Sequence, residues 1–339
     1  MPASLSHGVQ DILAPTPDLT VIRGTPGSDT LVGTDHAYDV FNGLGGNDLF
    51  IGGPGDNLFR GGAGVDTYVG GPGFDRVTFY LENQATEGVF ASLATQTVYD
   101  DGYGNMEQMS SIEGLGAGSL FADTMIGDDN GNVIVGGRQD LLFGAGGDDI
   151  MLVADAPALV DGGSGVNTLA AFGGREVAAP TGLAQGVEPE PAGVVIDLSR
   201  HLIVDDGFGG SGTILNIQNV YGSQLGDVII GDSQDNVLMG LGGDDTLTGG
   251  GGKDIFFFDD RATDWDGNPI GNGRDVITDF HHGLDKIAIN EPGVASFADL
   301  SISEHGGQDV VITYGPNHDQ IVLVGVHHVT ANDFIFGLT

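Results

Sequence analysis

Residues 222–257 read GSQLGDVII GDSQDNVLM GLGGDDTLT GGGGKDIFF, four rows of nine. Each row opens on glycine. The sixth position carries Asp227, Asn236, Asp245 and Asp254, and the eighth carries Ile229, Leu238, Leu247 and Phe256. A nine-residue period that is Gly-rich first, acidic at six and apolar at eight is the pattern of a calcium-binding parallel β-roll. The glycines allow a tight turn with close backbone approach. The sixth-position carboxylate is a hard oxygen donor suited to Ca2+. The eighth residue points inward from a short strand and builds a core one side chain deep. Two rows make one coil, so turns on the same edge stand eighteen residues apart, and an ion between stacked turns would be shared by Asp227 and Asp245.

The rows recur upstream. A first block, residues 24–78, reads GTPGSDTLV, GTDHAYDVFN, GLGGNDLFI, GGPGDNLFR, GGAGVDTYV and GGPGFDRVT. Asp29, Asp48 and Asp66 follow one another on one edge, and Asp39, Asn57 and Asp75 on the other. The second row has ten residues and is expected to bulge, moving Asp39 out of register. A second block, residues 118–170, places Asp123, Asn132, Asp140, Asp149 and Asn167 in the sixth-position role, with its third row one residue short. Row pairs at two-row spacing are 29/48, 48/66, 123/140 and 227/245, with mixed Asn/Asp pairs at 57/75, 132/149 and 236/254. Asparagine supplies only a neutral oxygen. The Asp227/Asp245 edge is therefore expected to bind calcium more strongly than the Asn236/Asp254 edge.

A longer duplication frames the blocks. Gly88, Asp100, Asp101, Gly102 and Ile112 match Gly193, Asp205, Asp206, Gly207 and Ile217, each 105 residues on. The expected organisation is all-β: a lead at 1–23, loose or an irregular cap; rolls at 24–78, 118–170 and 222–257; and connecting β segments at 79–117 and 193–221. A Gly/Ala/Pro-rich linker is expected at 171–192 and a C-terminal β cap at 258–339. A cap is needed because an open coil edge would pair with another chain.

Composition narrows the partners. The 339 residues include 61 Gly and no Cys, and 48 Asp plus Glu against 10 Lys plus Arg give a net charge of −38. Nucleic acid is excluded as a partner, since phosphate binding needs a basic surface. Disulfides and thiolate metal sites are absent. The hydrophobic content of 40%, placed periodically, argues for a fold that needs counter-ions before like charges permit compaction. The N-terminus lacks the basic and apolar regions of an ordinary signal peptide. No apolar run reaches the roughly 18 residues of a transmembrane segment.

These rows, with GSQLGDVIIGDSQDN at 222–236 and DVITDF at 275–280, resemble the secreted repeats-in-toxin (RTX) proteins over roughly residues 24–339. The resemblance implies a protein that leaves Gram-negative bacteria through a type I ABC secretion apparatus, guided by an uncleaved C-terminal signal. It implies a chain unfolded in the low-calcium cytosol and folded outside the cell. Asp333-Phe334-Ile335-Phe336 is similar to the terminal acidic-plus-apolar pattern of many members, with Gly337-Leu338-Thr339 as an extra tail. Early-turn carbonyls join the sixth-position carboxylate in the family's sites, so Gly240, Gly242 and Asp245 would form one half-site.

No catalytic signature accompanies the rolls. The zinc-protease H-E-x-x-H, the G-x-S-x-G elbow and the phosphate loop are missing, and about 23 residues precede the first row, too few for an N-terminal catalytic domain. The pairs His281-His282 and His327-His328 read as surface histidines, since adjacent strand residues point to opposite faces. DWDGN at 264–268 has the alternate acidic spacing of an EF-hand start, but Pro269 stands where glycine belongs. Asp100/Asp101 and Asp205/Asp206 read as polar turns or as inter-roll calcium ligands. The expectation is a secreted, extracellular, non-enzymatic protein that binds several calcium ions, with a surface, matrix or polysaccharide-binding role. The alternatives are an auxiliary module or remnant of an alginate epimerase-like enzyme, or a calcium-dependent membrane-active protein.

Overall fold

The computed structural model describes residues 19–35, 38–79, 85–153, 155–171, 192–259, 271–305 and 309–337. The linker expected at 171–192 and the DWDGN loop lie almost wholly or entirely outside these residues. Among the described residues there is no α-helix; short strands dominate, with three 3-10 turns at Leu198–Arg200, Phe297–Asp299 and Ala331–Asp333. The chain divides between Asn167 and Thr168 into two compact units.

In the N-terminal unit one sheet stacks Leu19–Arg23, Tyr38–Asn42, Asp56–Arg60, Asp75–Thr78, Gly114–Gly116, Val133–Gly136 and Ile150–Val153, all parallel. The opposite face stacks Thr30–Val32, Leu49–Ile51 and Thr67–Val69 in the same sense. Each strand within the rows is fed by one nonapeptide turn, which explains why strands three to five residues long alternate between the two faces. The roll begins before the first nonapeptide. Leu19–Arg23, expected within an irregular lead, is a regular strand paired with Tyr38–Asn42.

Of the two irregular rows, one differs from expectation and the other holds its place as expected. Asp39 stays in register opposite Asn57, with Thr34 N–H donating to its Oδ2 at 2.6 Å. The short third row of the second block keeps Asp140 in place with a tighter turn: Gly137 N–H donates to Asp140 Oδ2 at 2.7 Å. Register is held because a slip would turn the buried residues outward.

The connecting segments carry an antiparallel excursion. Glu107–Ser110 runs parallel to Thr67–Val69, turns antiparallel against Thr97–Asp100, which pairs with Phe90–Ser92, and Phe90–Ser92 then stacks on Thr124–Ile126. In the C-terminal unit Val195–Asp197, Leu202–Asp205 and Gly212–Leu215 repeat this excursion 105 residues later. Val195–Asp197 stacks on Val228–Ile230, followed by Thr246–Thr248. The other face of this unit runs Thr168–Ala170, Asn219–Tyr221, Val237–Met239 and Ile255–Asp259.

The roll does not end where the nonapeptides do. Arg274–Ile277 stacks on Thr246–Thr248 and Lys286–Asn290 on Ile255–Asp259, each as one further parallel rung. Asp319–Leu323 and Phe334–Phe336 add another to each face. The antiparallel strands Asp309–Tyr314 and Ser301–His305 finish one edge.

The core is a file of inward side chains. In the first block Phe41, Phe50, Phe59 and Tyr68 are essentially unexposed, with Phe41 stacked on Phe59 at 4.9 Å and Phe50 on Tyr68 at 5.2 Å between ring centroids. In the third block Ile229, Leu238, Leu247 and Phe256 do the same work, continued by Ile277 and Ile287. Each such burial contributes about 1.5–3 kcal/mol.

Candidate metal centre

The strands carry the sixth-position residues to two edges. On the first edge, Asp29 N–H donates to Asp48 Oδ1 at 2.8 Å, Asp48 N–H to Asp66 Oδ1 at 2.8 Å, and Asp123 N–H to Asp140 Oδ1 at 2.8 Å. Asp227 N–H donates to Asp245 Oδ1, also at 2.8 Å. On the second edge, Asn57 Nδ2 donates to Asp75 Oδ1 at 2.6 Å, Asn132 N–H to Asp149 Oδ1 at 2.8 Å, and Asn236 N–H to Asp254 Oδ1 at 3.0 Å. Every row pair anticipated from the two-row spacing is thus a direct contact. One oxygen of each carboxylate is spent on the rung behind it.

The second oxygen separates the rungs into two kinds. At the first rung of a ladder the turn supplies its own partners. Thr25 N–H and Oγ1 donate to Asp29 Oδ2, at 2.6 and 2.8 Å. Ser119 Oγ donates to Asp123 Oδ1 at 2.6 Å, with Ser119 N–H on Oδ2 at 3.1 Å. Ser223 N–H donates to Asp227 Oδ2 at 2.6 Å, and Ser223 Oγ and Val194 N–H donate to Oδ1, both at 2.7 Å. At the inner rungs Asp48, Asp66, Asp75 and Asp149, Oδ2 is buried with no hydrogen-bond partner.

Each unpaired oxygen lies over a glycine. A Cβ on Gly43 would collide with both Asp48 Oδ2 and Gly61 O, and one on Gly144 with both Asp149 Oδ2 and Gly162 O. A carboxylate oxygen and a carbonyl oxygen from the next coil therefore face one small space that only glycine leaves open. Gly240 likewise lies directly under Asp245 Oδ2, and its own carbonyl faces Gly222. Gly242 N–H donates to Ser223 O at 3.3 Å. Among the described residues no three His, Asp or Glu side chains surround a common point. An ion here would draw on one or two carboxylates, with backbone carbonyls completing the six to eight oxygens of calcium. The residues fit such an ion: hard oxygens, unpaired negative charge and a cradle of backbone.

Burial raises these carboxyls. Asp75, Asp140 and Asp149 are pushed up to about 7, and Asp227 and Asp254 to about 6. Asp66 and Asp245 are also raised, by burial first and by neighbouring carboxylates second.

The Asn rungs do something a carboxylate cannot. Asn132 Nδ2 donates to Glu113 O at 3.2 Å and Asn236 Nδ2 to Gln218 O at 2.8 Å, while their Oδ1 atoms accept from Asp128 and Asp232 N–H. Asp100, Asp101, Asp205 and Asp206 fold back onto N–H groups two residues ahead and form polar turns. His282 Nδ1 pairs with Asp333 Oδ2 at 2.9 Å, and its ring lies 4.6 Å from that of His328. Asp333 is fully buried, and Phe334–Phe336 is a strand.

Several rungs have no nonapeptide around them. Glu107 Oε1 accepts Asp66 N–H at 3.1 Å and Oε2 accepts the Tyr68 hydroxyl at 3.2 Å; Glu113 Oε2 accepts Asp75 N–H at 2.9 Å. Both are glutamates in a segment read only as connecting strand. Asp285 Oδ1 accepts Asp254 N–H at 3.1 Å. The Asp-x-apolar step of Asp285-Lys286-Ile287 repeats that of Asp227-Val228-Ile229, and it is the signal that could have found it.

The register, the two carboxylate edges and the glycine cradles define a parallel β-roll built of nonapeptide coils. Residues 42–77 and 221–258 match the RTX calcium-binding nonapeptide repeat (four copies), so the chain carries RTX calcium-binding nonapeptide repeats. The second block lies outside the matched residues and is assigned by its register. Among solved structures the chain is similar to the extracellular lipase LipA from Serratia marcescens, at 19% identity over 96% of this chain and 41% of that one, with a TM-score of 0.24. It spans less than half of the lipase's length, and so distant a likeness carries no argument. No curated protein matches. Among the described residues no helix is long and apolar enough to cross a membrane.

Proposed function

We propose that this chain is a secreted, non-enzymatic protein whose rolls fold when they meet extracellular calcium. The observation that carries this reading is the set of buried, unpartnered carboxylate oxygens at Asp48, Asp66, Asp75 and Asp149. Burying an ionised carboxylate without a partner is costly enough to oppose folding. Calcium, when bound, supplies positive charge and accepts oxygen donors. The chain does the rest. Asp carboxylates and early-turn carbonyls converge, the first glycine of each row leaves room, and the rung-to-rung hydrogen bonds hold the oxygens in place. The closed turns then align the file of Phe41, Phe50, Phe59 and Tyr68, so binding free energy becomes folding free energy. Export through a type I ABC apparatus follows from the same dependence, since a chain that cannot fold in low calcium stays threadable. Its role outside the cell would be contact with a surface, a matrix or a polysaccharide.

Circular dichroism in excess calcium and in excess chelator tests this. The β spectrum is expected with calcium and its loss with chelator. A chain that kept its full β spectrum in chelator would sink the reading.

A further inference from the structure

The first-edge ladder of the C-terminal unit continues beyond the last nonapeptide. Asp245 N–H donates to Asp275 Oδ1 at 3.0 Å, and Asp275 is 1% exposed with Oδ2 buried and unpartnered. Its strand pairs in parallel with Asp319–Leu323. Asp319, at the start of that strand, is 5% exposed; its Oδ1 accepts Gly273 N–H at 3.1 Å, and its Oδ2 is also buried and unpartnered. The two carboxylates feel each other: after burial, the charges of Asp244 and Asp319 are what raise Asp275. A third buried polar residue, Asn272, reaches Asp319 through its backbone N–H. Asn272 is 2% exposed, and its side-chain nitrogen is buried without a partner. A half turn of that amide exchanges nitrogen for oxygen.

His318, next to Asp319, is the basic group that acts on it, and it draws that carboxyl down by less than burial raises it. Arg274, between Asn272 and Asp275, is exposed, as alternation along a strand requires. Glycine again keeps the backbone close: a Cβ on Gly271 would stand 2.9 Å from Asp319 Oδ1, and one on Gly273 would collide with Gly243 O.

We propose that Asp275 and Asp319, with the side-chain oxygen of Asn272, hold a calcium ion at a site outside the repeats. The proposal rests on the reading of the chain as a calcium-dependent β-roll and extends it to the C-terminal end. The ion would join Arg274–Ile277, the rung that follows the last nonapeptide, to Asp319–Leu323, the strand on which Asp309–Tyr314 and Ser301–His305 depend for pairing. The roll would thereby be closed by calcium as well as built by it.

The test counts ions on the full chain by isothermal titration with calcium chloride, wild type against Asp275→Asn/Asp319→Asn. Both replacements keep an acceptor oxygen and remove the charge. The double variant is expected to bind one ion fewer. Calcium-dependent protection from hydrogen exchange should be lost over 309–323 and kept over 228–248. An unchanged ion count would overturn the site. If the double variant bound no calcium, Asp319→Asn alone decides: one ion fewer supports the site, and the wild-type count overturns it. A wild-type chain that bound no calcium would bring down the reading of the whole roll, which is a different result from losing this site alone.

Discussion

Asp227 and Asp66 hold the same place in their rows, yet their surroundings differ. Asp227 opens its block and is met by Ser223 N–H, Ser223 Oγ and Val194 N–H. Asp66 stands inside its ladder, accepts only Asp48 N–H on Oδ1, and has Oδ2 buried with no partner. The strand behind Asp227 is Val195–Asp197, and at this rung it brings the Val194 N–H and no carboxylate to share an ion. A hydroxyl and two N–H groups take that role. The inner rungs Asp48, Asp66, Asp75 and Asp149 have neighbours on both sides and leave an oxygen free for an ion, whereas Asp140 Oδ2 is met by Gly137 N–H. The nonapeptide therefore encodes two devices: a protein-capped turn that starts a ladder and an ion-dependent turn that extends it.

The contrast can be broken most severely by pH, because many inner rungs titrate together. Asp75 and Asp149 are raised from 3.8 to about 7 in the folded chain. The folded state thus holds more protons than the unfolded state between these values. Without calcium, stability is fully present below the unfolded value and is lost as pH rises through about 7. Chain unfolded by chelator at neutral pH should regain β structure on acidification toward about pH 4. With calcium the slope reverses, since protons compete for the same oxygens. A circular dichroism signal that stayed flat with pH in chelator would show that the inner carboxylates are not what opposes folding.

Single rungs come next. Asp66→Asn should weaken calcium binding by at least about tenfold at its site, the lower end of what loss of even an indirect metal partner costs. Asp227→Asn should leave the ion count unchanged. Equal losses in calorimetry would erase the distinction between first and inner rungs. The smallest effect is expected from Ser223→Ala. It removes the Ser223 Oγ bond to a buried carboxylate and the acceptor for Leu225 N–H at 3.1 Å. Stability in saturating calcium should fall by about 1.5–3 kcal/mol, the range for hydrogen bonds to charged groups. A change in ion number instead of in denaturation midpoint would mean that the first rung is an ion site after all.

Much of this was legible in the residues. The pairs 48/66, 123/140, 227/245 and 236/254 follow from nine-residue rows taken two to a coil, and each is a hydrogen-bonded contact. The serine and threonine caps had a signal that a search for acidic positions passes over. Thr25, Ser119 and Ser223 each follow the first glycine of a row and precede the aspartate by four residues. Glu107 and Glu113 had none, because Glu107 enters on Glu107–Ser110 out of an antiparallel excursion of no fixed period and Glu113 follows it just before Gly114–Gly116 on the other sheet. Asp275, within DVITDF, has no rung by spacing, since an interruption of more than a row separates it from Asp245.

The sequence by itself determined the coil, the two edges and the inward file of apolar residues. Each of these depends on a local period, and a period of nine is written directly in the spacing of Gly, Asp and Ile. Only the tertiary structure decided which carboxylates are left unpaired. That depends on what lies one coil away: Glu107 is 41 residues from Asp66, Asp275 is 30 from Asp245, and Asp319 is 46 from Gly273. No local pattern specifies those partners, because they are set by how the connecting strands re-enter the stack. The unmet charge at the inner rungs is therefore a property of the assembled roll.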